Sequence, residues 1–291
     1  MFLFRCKLRS KLGRKQEFDS YYIIKRVNYY NRLNELHSLS SKTKTLSEFK
    51  LGKKNTYYFD IFEFTRYFNK NLKAHFLLGD INYIPIQPSI VKSRPINGNI
   101  INSVLLNLDK IRHFLFLNDQ KTFTTKINML VGRSKANQPH RIRFLEKYMH
   151  HPLCNIGQIN RNANLQFLAN RMTISEHLNY KFILCLEGND VASNLKWVMS
   201  SNSLAVMTNP IYETWFMEGT LIPNYHYVLI EDDYSDLEER LSYYINNTDE
   251  ALNIIENAHR YVNQFKNKKQ EDIISLLVLQ KYFEKTGQVV I

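Results

Sequence analysis

Apolar runs alternate with amphipathic segments along the second half of the chain. The apolar runs occupy residues 127–131, 182–186, 203–207 and 225–230. Helical spacing is found from about residue 138, at 172–180, after 189, at 232–265 and at 270–286. Short apolar runs that alternate with helices predict the buried strands of a parallel sheet with helices on both faces. The pattern therefore indicates an α/β fold.

The first half of the chain gives a weaker pattern. The aromatic segment 55–68 fits either a strand or a helix. Residues 75–96 begin like a short strand and then contain three prolines, which remove backbone donors and predict a loop. Residues 102–117 show helical spacing followed by a strand-like end.

Several residues mark predicted helix starts. Pro139 suits the first turn of a helix because its missing N–H needs no partner there. Thr173 or Ser175 is placed to cap a short helix. Ser235, with Glu238 three residues later, has the spacing of a capping box.

Composition and charge narrow the function classes. The 291 residues are 44% hydrophobic, which predicts a folded protein and allows two domains. The net charge of +12 calls for an acidic partner, which leaves nucleic acid, an anionic membrane face and a phosphorylated substrate. Three cysteines without a CxxC spacing argue against a disulfide framework or a zinc site and favour a reducing cytosol. The first fifteen residues do not resemble a signal peptide, and no 18-residue apolar run predicts a membrane span.

The loop after the run 182–186 carries candidate anion-binding residues. In a doubly wound sheet, ligands bind outside the carboxyl ends of the strands, where this loop would lie. A glycine lets a ligand approach the backbone, and a hydroxyl and an ammonium add donors. These residues are Gly188, Asn189, Ser193 and Lys196. The alternative is an ordinary turn with a surface lysine.

A second candidate is the basic loop after residue 131. The stretch "VGRSKANQPHRIR" contains five basic side chains: Arg133, Lys135, His140, Arg141 and Arg143. Such a loop would neutralise a pyrophosphate without a metal ion. A solvated basic face is the alternative. Nucleic-acid binding is a further one, but no helix-turn-helix, RRM or OB pattern supports it.

Other candidates lie outside these two loops. Asp80 follows a short strand and is either a general base or a turn residue. Lys92 and Arg94 are candidate contacts for an anionic acceptor, and Glu213 is either a partner of a ribose or a helix-start carboxylate. His226 lies in an apolar strand and is expected to be a core histidine.

Taken in order, these motifs resemble glycosyltransferase family 90. The resemblance runs from about residue 75 to 286 and is greatest to the bacterial lipopolysaccharide-modifying branch. It rests on "YKFILCLEGNDVASNLKWVM", "YETWF", "NYHYV" and "YSDLEERL". The matching residues are Gly188, Asn189, Ser193, Leu195, Lys196, Trp197, Glu213, Trp215, Phe216, His226, Tyr227, Ser235, Asp236 and Leu237.

The resemblance implies a GT-B-like architecture, in which two Rossmann-like domains face a cleft. Residues 1–122 would form an acceptor-side domain and 123–275 a domain that binds the nucleotide sugar. Residues 276–291 would form a helix that packs back on the first domain. The donor would be a UDP-sugar, and no metal or other cofactor would be required.

The resemblance also implies roles for individual residues. Asp80 would be the base that deprotonates the acceptor hydroxyl in an inverting transfer. The donor site would comprise Gly132, Arg133, Gly188, Asn189, Ser193, Lys196 and Glu213, with Glu213 near the ribose or uracil. Lys92 and Arg94 would contact the acceptor.

The implied reaction moves a hexose, glucose or galactose, to a core sugar of lipopolysaccharide or lipooligosaccharide. The protein would act in the cytoplasm, peripherally at the anionic inner face of the cytoplasmic membrane, and would not bind nucleic acid. Two positions depart from the family pattern, since Val131 and Asn194 replace arginines. A lost cation near the diphosphate would weaken leaving-group stabilisation by about 2–4 kcal/mol. The alternative is therefore a weak or inactive relative that binds a sugar nucleotide or lipopolysaccharide.

Overall fold

A computed structural model describes residues 19–52, 55–161 and 164–290. The strands are β1 Phe76–Leu77, β2 Ser89–Val91, β3 Ser93–Pro95, β4 Ser103–Leu105, β5 Ile127–Ser134, β6 Cys154–Gln158, β7 Tyr180–Leu184, β8 Leu204–Met207, β9 Tyr212–Thr214 and β10 Val228–Leu229. The α-helices are α1 Ser20–Tyr30, α2 Asn55–Thr65, α3 Lys110–His113, α4 Pro139–Tyr148, α5 Ile174–His177, α6 Leu195–Met199, α7 Leu237–Asn246, α8 Thr248–Asn263 and α9 Lys268–Lys285. Among the described residues, no helix has both the length and the apolar character that crossing a bilayer requires.

The chain divides into two compact units. Unit 1 comprises the chain up to Arg112, residues 211–219 and residues from 265 onward. Unit 2 comprises residues 113–210 and 220–264. Each unit is thus assembled from segments that are distant in sequence. The functional division into an acceptor-side and a donor-binding domain stays a prediction.

Unit 2 is built on a five-stranded parallel sheet with the order β10–β8–β7–β5–β6. All four residues of β8 are buried, as expected for a strand covered on both faces. Helix α8 buries residues at a spacing of three or four, which lie on one face: Ala251, Ile254, Ile255, Ala258 and Val262. The predicted parallel α/β arrangement is confirmed.

Unit 1 contains a smaller parallel sheet and an antiparallel ribbon. The sheet has the order β1–β2–β4, and the ribbon pairs β3 with β9. Helix α1 begins after Asp19, whose carboxylate accepts hydrogen bonds from the N–H groups of Tyr21 and Tyr22. Its buried face packs against the long helix α9.

Most predicted elements of the second half are confirmed. Strands β5, β7, β8 and β10 lie at the four apolar runs, and Pro139 is in the first turn of α4. Thr173 caps α5 and forms a capping box with Glu176. The prediction for Ser235 was wrong: α7 is preceded by Asp236 as its N-cap residue, and no side chain caps it.

The predictions for the first half were less accurate. The aromatic segment 55–68 is mainly helix α2. Residues 102–117 were predicted in the wrong order, since strand β4 comes first and the short helix α3 follows. The segment 75–96 begins with the expected short strand but also contains β2 and β3. Its prolines fit this arrangement because Pro95 ends β3 and Pro88 precedes β2.

Candidate functional site

The sheet of unit 2 has one topological switch point. From β5 the chain proceeds to β6 at one edge, whereas from β7 it proceeds to β8 on the other side. Connections that leave two neighbouring strands in opposite directions open a crevice at the strands' carboxyl ends, where doubly wound sheets bind ligands. This crevice lies after Ser134 of β5 and Leu184 of β7. The topology therefore selects the same two loops as the sequence did.

Arg141 joins these two loops. From the first turn of α4 its Nε donates to the carbonyl of Glu187 at 2.8 Å, and its Nη2 donates to that of Leu186 at 2.7 Å. Its Nη1 donates to the carbonyl of Lys135, in the loop after β5, at 3.0 Å. Burial lowers the pKa of the guanidinium, and the charge of Glu187 opposes that effect. Because a guanidinium holds its donors in a rigid plane, Arg141 fixes the separation of the two loops.

Gly188 and Asn189 lie beside this bridge. A Cβ at Gly188 would come within 3.3 Å of Nη2 of Arg141, so the glycine makes room for the guanidinium. Asn189 is exposed, and its Oδ1 accepts a hydrogen bond from Nε2 of Gln138 at 2.8 Å. His140 Nε2 is 2.8 Å from the carbonyl oxygen of Glu187. The start of α4 and the loop after β7 are thus held together by side chains.

Arg133 makes its contacts at the sheet. Its guanidinium donates to the carbonyls of Gly132, Asn155 and Asn170 and to the side-chain oxygen of Asn155, at 2.7–2.9 Å. Burial lowers its pKa. These four bonds support β5 and β6. The donor-binding role predicted for Gly132 and Arg133 stays a prediction.

The remaining predicted residues of this loop differ in exposure. Ser193 is exposed, whereas Lys196 in α6 is fully buried. Asn194, one of the departures from the family pattern, donates from Nδ2 to the carbonyl of Leu184 at 2.9 Å. It thereby satisfies the carboxyl end of β7. Burial raises the pKa of the Cys185 thiol, and the positive charge of Lys196 opposes that rise.

Asp80 lies in unit 1, after β1, among positive charges. Its Oδ1 is 2.6 Å from Nζ of Lys92 and 3.3 Å from Nη2 of Arg112. Burial lowers the pKa of Arg112, but Asp109 and Asp80 raise it, and the net pKa is above its usual value. Lys92 is only 1% exposed, whereas the Asp80 side chain is 29% exposed. The Arg112 side chain is 49% exposed, so solvent reaches the carboxylate and the guanidinium but not the ammonium group of Lys92.

Arg94 and Glu213 pair with each other in unit 1. They are direct partners across the β3–β9 ribbon, and their side chains are 2.8 Å apart and at most 1% exposed. Arg94 also donates to the carbonyls of Tyr29, Tyr30 and Ser103, and the Tyr29 hydroxyl donates to Glu213. Removing either partner would leave the other as an uncompensated buried charge, so each of the two side chains depends on the other. Their predicted contacts with acceptor and ribose stay predictions.

Comparison with known proteins decides the family. The family model described as Glycosyl transferase family 90 matches residues 130–284, which is more than half of the chain. This chain belongs to glycosyltransferase family 90. It is similar to the O-glucosyltransferase LpsA of Dichelobacter nodosus, with 44% identity over 259 residues, or 89% of this chain and 81% of the relative. The protein is thus a glycosyltransferase, as the sequence predicted.

Trp215, in the family-90 motif "YETWF", belongs to a buried side-chain network that the sequence pattern did not predict. Trp215 stacks on Tyr30 with ring centres 3.7 Å apart, and its Nε1 donates to Glu271 at 2.6 Å. Glu271 in turn forms an ion pair with Arg26 at 2.5 Å. A sequence signal for this network exists in α1, because Arg26 is the one charged residue on the face that buries Ile23, Val27 and Tyr30. In this family-90 chain the motif therefore links β9, α1 and α9 within unit 1.

Metal ligands were not predicted for this family-90 enzyme. In the part of the chain that the structure describes, no three His, Cys, Asp or Glu side chains are grouped closely enough to hold a metal ion. Metal independence stays a prediction.

Proposed function

We propose that this chain transfers glucose from a UDP-sugar to a hydroxyl of a lipopolysaccharide or lipooligosaccharide core sugar. The observation that supports this most is the 44% identity to an O-glucosyltransferase, because it extends over 89% of the chain and so includes most of both units. The relative's name favours glucose over galactose. The resemblance to the lipopolysaccharide-modifying branch supports the acceptor.

The proposed chemistry is a single displacement with inversion. Asp80 takes the proton of the acceptor hydroxyl while that oxygen attacks the anomeric carbon. The bond from this carbon to the UDP oxygen breaks, and UDP leaves with the electron pair. The position of Asp80 beside Lys92 and Arg112 supports this role, since neighbouring cations favour the ionised form that accepts a proton.

The proposed donor site is the switch point of unit 2. UDP develops negative charge as it leaves, and positive groups there would stabilise the transition state. The basic loop after β5, the turn at Gly188 and Asn189, and the position of Lys196 in α6, which follows that turn, support this assignment. Arg141 supplies a positive charge beside this turn. Val131 and Asn194, which stand where the family pattern has arginines, supply none.

The test is a panel of UDP-sugars incubated with truncated lipopolysaccharide acceptors, with products read by mass spectrometry. The expected product is an acceptor heavier by one hexose, formed from UDP-glucose in preference to UDP-galactose and in the presence of EDTA. The coupling constant of the new anomeric proton reports inversion. UDP binding without transfer to any acceptor would instead support the alternative of an inactive binding relative.

Attachment to the inner face of the cytoplasmic membrane is part of the proposal. A net charge of +12 attracts a protein to an anionic surface without insertion. Flotation with vesicles should show binding that rises with the fraction of anionic lipid and falls with added salt. Binding that ignores both variables would remove the electrostatic explanation.

A further inference from the structure

Unit 1 contains a positively charged cavity, and the residues that line it are distant from Asp80 in sequence. It lies beside α1 and α9 and has a volume of about 540 Å³. Its described lining residues are Lys25, Asn28, Tyr29, Arg32, Asn34 and Lys281. Three of the six are cations and none is a carboxylate. A concave surface with this charge balance is suited to an anionic ligand.

Hydrogen bonds fix one side of the cavity. Lys281 donates from Nζ to the side-chain oxygen of Asn28 at 2.8 Å and to the carbonyl of Asn31 at 2.6 Å. Lys285 donates to the carbonyl of Asn34 at 2.7 Å. Burial lowers the pKa of Lys281, and the nearby charge of Lys285 lowers it further. The wall formed by α9 is therefore built before any ligand arrives.

The other two cations are available to a ligand. Lys25 and Arg32 are both exposed, and within the described ranges 19–52, 55–161 and 164–290 neither forms a hydrogen bond or an ion pair through its side chain. The guanidinium carbon of Arg32 lies 5.6 Å from the ring centre of Tyr29. Like charges around one cavity repel each other, and a bound anion relieves that repulsion.

The polar lining narrows the chemistry of the ligand. Ammonium and guanidinium groups bind phosphate oxygens, and amide side chains such as those of Asn28 and Asn34 hydrogen-bond the hydroxyls of a sugar. We propose that this cavity binds a phosphate group carried on a saccharide, as a second contact with the acceptor. The assignment to the acceptor rests on the proposed function, whereas the phosphate chemistry rests on the cavity alone.

The experiment measures binding in four combinations. The wild type and the variant Lys25→Glu/Arg32→Glu are each titrated with lipopolysaccharide acceptor that retains its core phosphates and with the same acceptor after dephosphorylation. Wild type should bind the phosphorylated form about tenfold more tightly, and the variant should lose that preference. The loss of affinity caused by the substitutions and the loss caused by dephosphorylation should not add, because each removes one partner of the same interaction.

A matched control keeps the change in charge equal. Lys70→Glu/Lys269→Glu reverses two exposed lysines of unit 1 that do not line the cavity. It should keep the preference for phosphate. Two results would overturn the proposal. The first is an equal loss of affinity in the cavity variant and the control, which would mean that overall charge decides binding. The second is a cavity variant that still loses as much affinity on dephosphorylation of the acceptor as the wild type does.

Two further readouts separate this proposal from others. Vesicles of phosphatidylcholine with phosphatidylglycerol carry phosphate without a saccharide, so a loss of vesicle binding in the cavity variant with unchanged acceptor binding would overturn the saccharide assignment. Glucose transfer is measured separately. If no acceptor is glucosylated, the proposed function fails, while the four titrations still decide whether the cavity binds phosphate.

Discussion

Among single residues, Asp80 is the most informative to change. Replacing it with Asn keeps the size and removes the proton acceptor. We expect transfer to fall by about 100-fold to 10,000-fold, the usual contribution of a positioned acid or base. The affinity for UDP should stay unchanged, since the proposed donor site uses unit 2. The measurements are initial rates of transfer and calorimetric titration with UDP.

The control for this prediction is Asp109→Asn. Asp109 is paired with the same Arg112, at 3.0 Å, and its backbone has a φ of 56°, which asparagine tolerates. This variant should keep most of the transfer rate. Retained transfer in Asp80→Asn would remove Asp80 from the role of base, and an equal loss in both variants would indicate disturbance of Arg112.

His226 predicts a pH dependence of stability. It is 9% exposed, and its Nδ1 accepts a hydrogen bond from the N–H of Ile222 at 2.9 Å. Burial lowers its pKa in the folded state, so the unfolded chain binds a proton more readily. The stability from the neutral ring is present above the unfolded pKa and is lost as the pH falls toward the folded value.

The corresponding variant is His226→Gln, which keeps an acceptor but does not titrate. Between pH 7 and pH 5, the free energy of unfolding of the variant should fall less steeply than that of the wild type. Urea denaturation at several pH values measures both slopes. Parallel slopes would show that His226 does not take up a proton on unfolding in this range.

At the scale of elements, the bridge between the loops after β5 and β7 is the feature to test. Arg141→Lys keeps the charge but cannot reach three carbonyls in one plane. Since several charge-assisted hydrogen bonds would be lost, we expect the KM for the UDP-sugar to rise by about tenfold or more. The pH profile of transfer should stay as in wild type. Kinetics over a range of UDP-sugar concentrations give both values.

Arg143→Lys is the control for this change. Arg143 lies on the same helix, is exposed, and has its guanidinium carbon 5.7 Å from the ring centre of Tyr234. The KM of the Arg143→Lys variant for the UDP-sugar should remain near that of the wild type. If Arg143→Lys raises the KM as much as Arg141→Lys does, the general positive charge of α4 matters more than the bridge.

The same elements show what the sequence could predict. Strands β5, β7 and β8 were found because each overlaps an apolar run and contains three or more consecutive buried residues. Strand β6, "CNIGQ", was missed because it is an edge strand with polar residues, and its pairing with β5 defines it. The order of β4 and α3 was reversed because burial in the sheet overrode the local helical spacing.

The site residues were likewise predictable only where their position depends on local sequence. The position of Gly188 and Asn189 at a strand end was predictable from local pattern, since it depends only on the strand before them. The partners of Arg94 and Arg133 were not, because Glu213 and Asn155 are distant in sequence and meet only through strand pairing. Local pattern thus located the loops, whereas tertiary contacts decided which arginines remain available to a ligand.

At the scale of the whole molecule, the two units are proposed to have different ligands. UDP should therefore protect unit 2 selectively. In hydrogen exchange with saturating UDP, we expect slower exchange at residues 133–145 and 185–197, next to the ends of β5 and β7. A UDP concentration 100 times its Kd should stabilise the protein by about 2.7 kcal/mol.

The same experiment tests the role predicted for Glu213. Residues 211–219 belong to unit 1, and Glu213 is sealed there by Arg94 and Tyr29. Slower exchange at this segment on addition of UDP would support its contact with the ribose or uracil. Unchanged exchange there, with protection at Gly188, would favour a purely structural role. Protection confined to unit 1 would contradict the donor site at the switch point, because a nucleotide bound outside β5 and β7 must shield the amides around it.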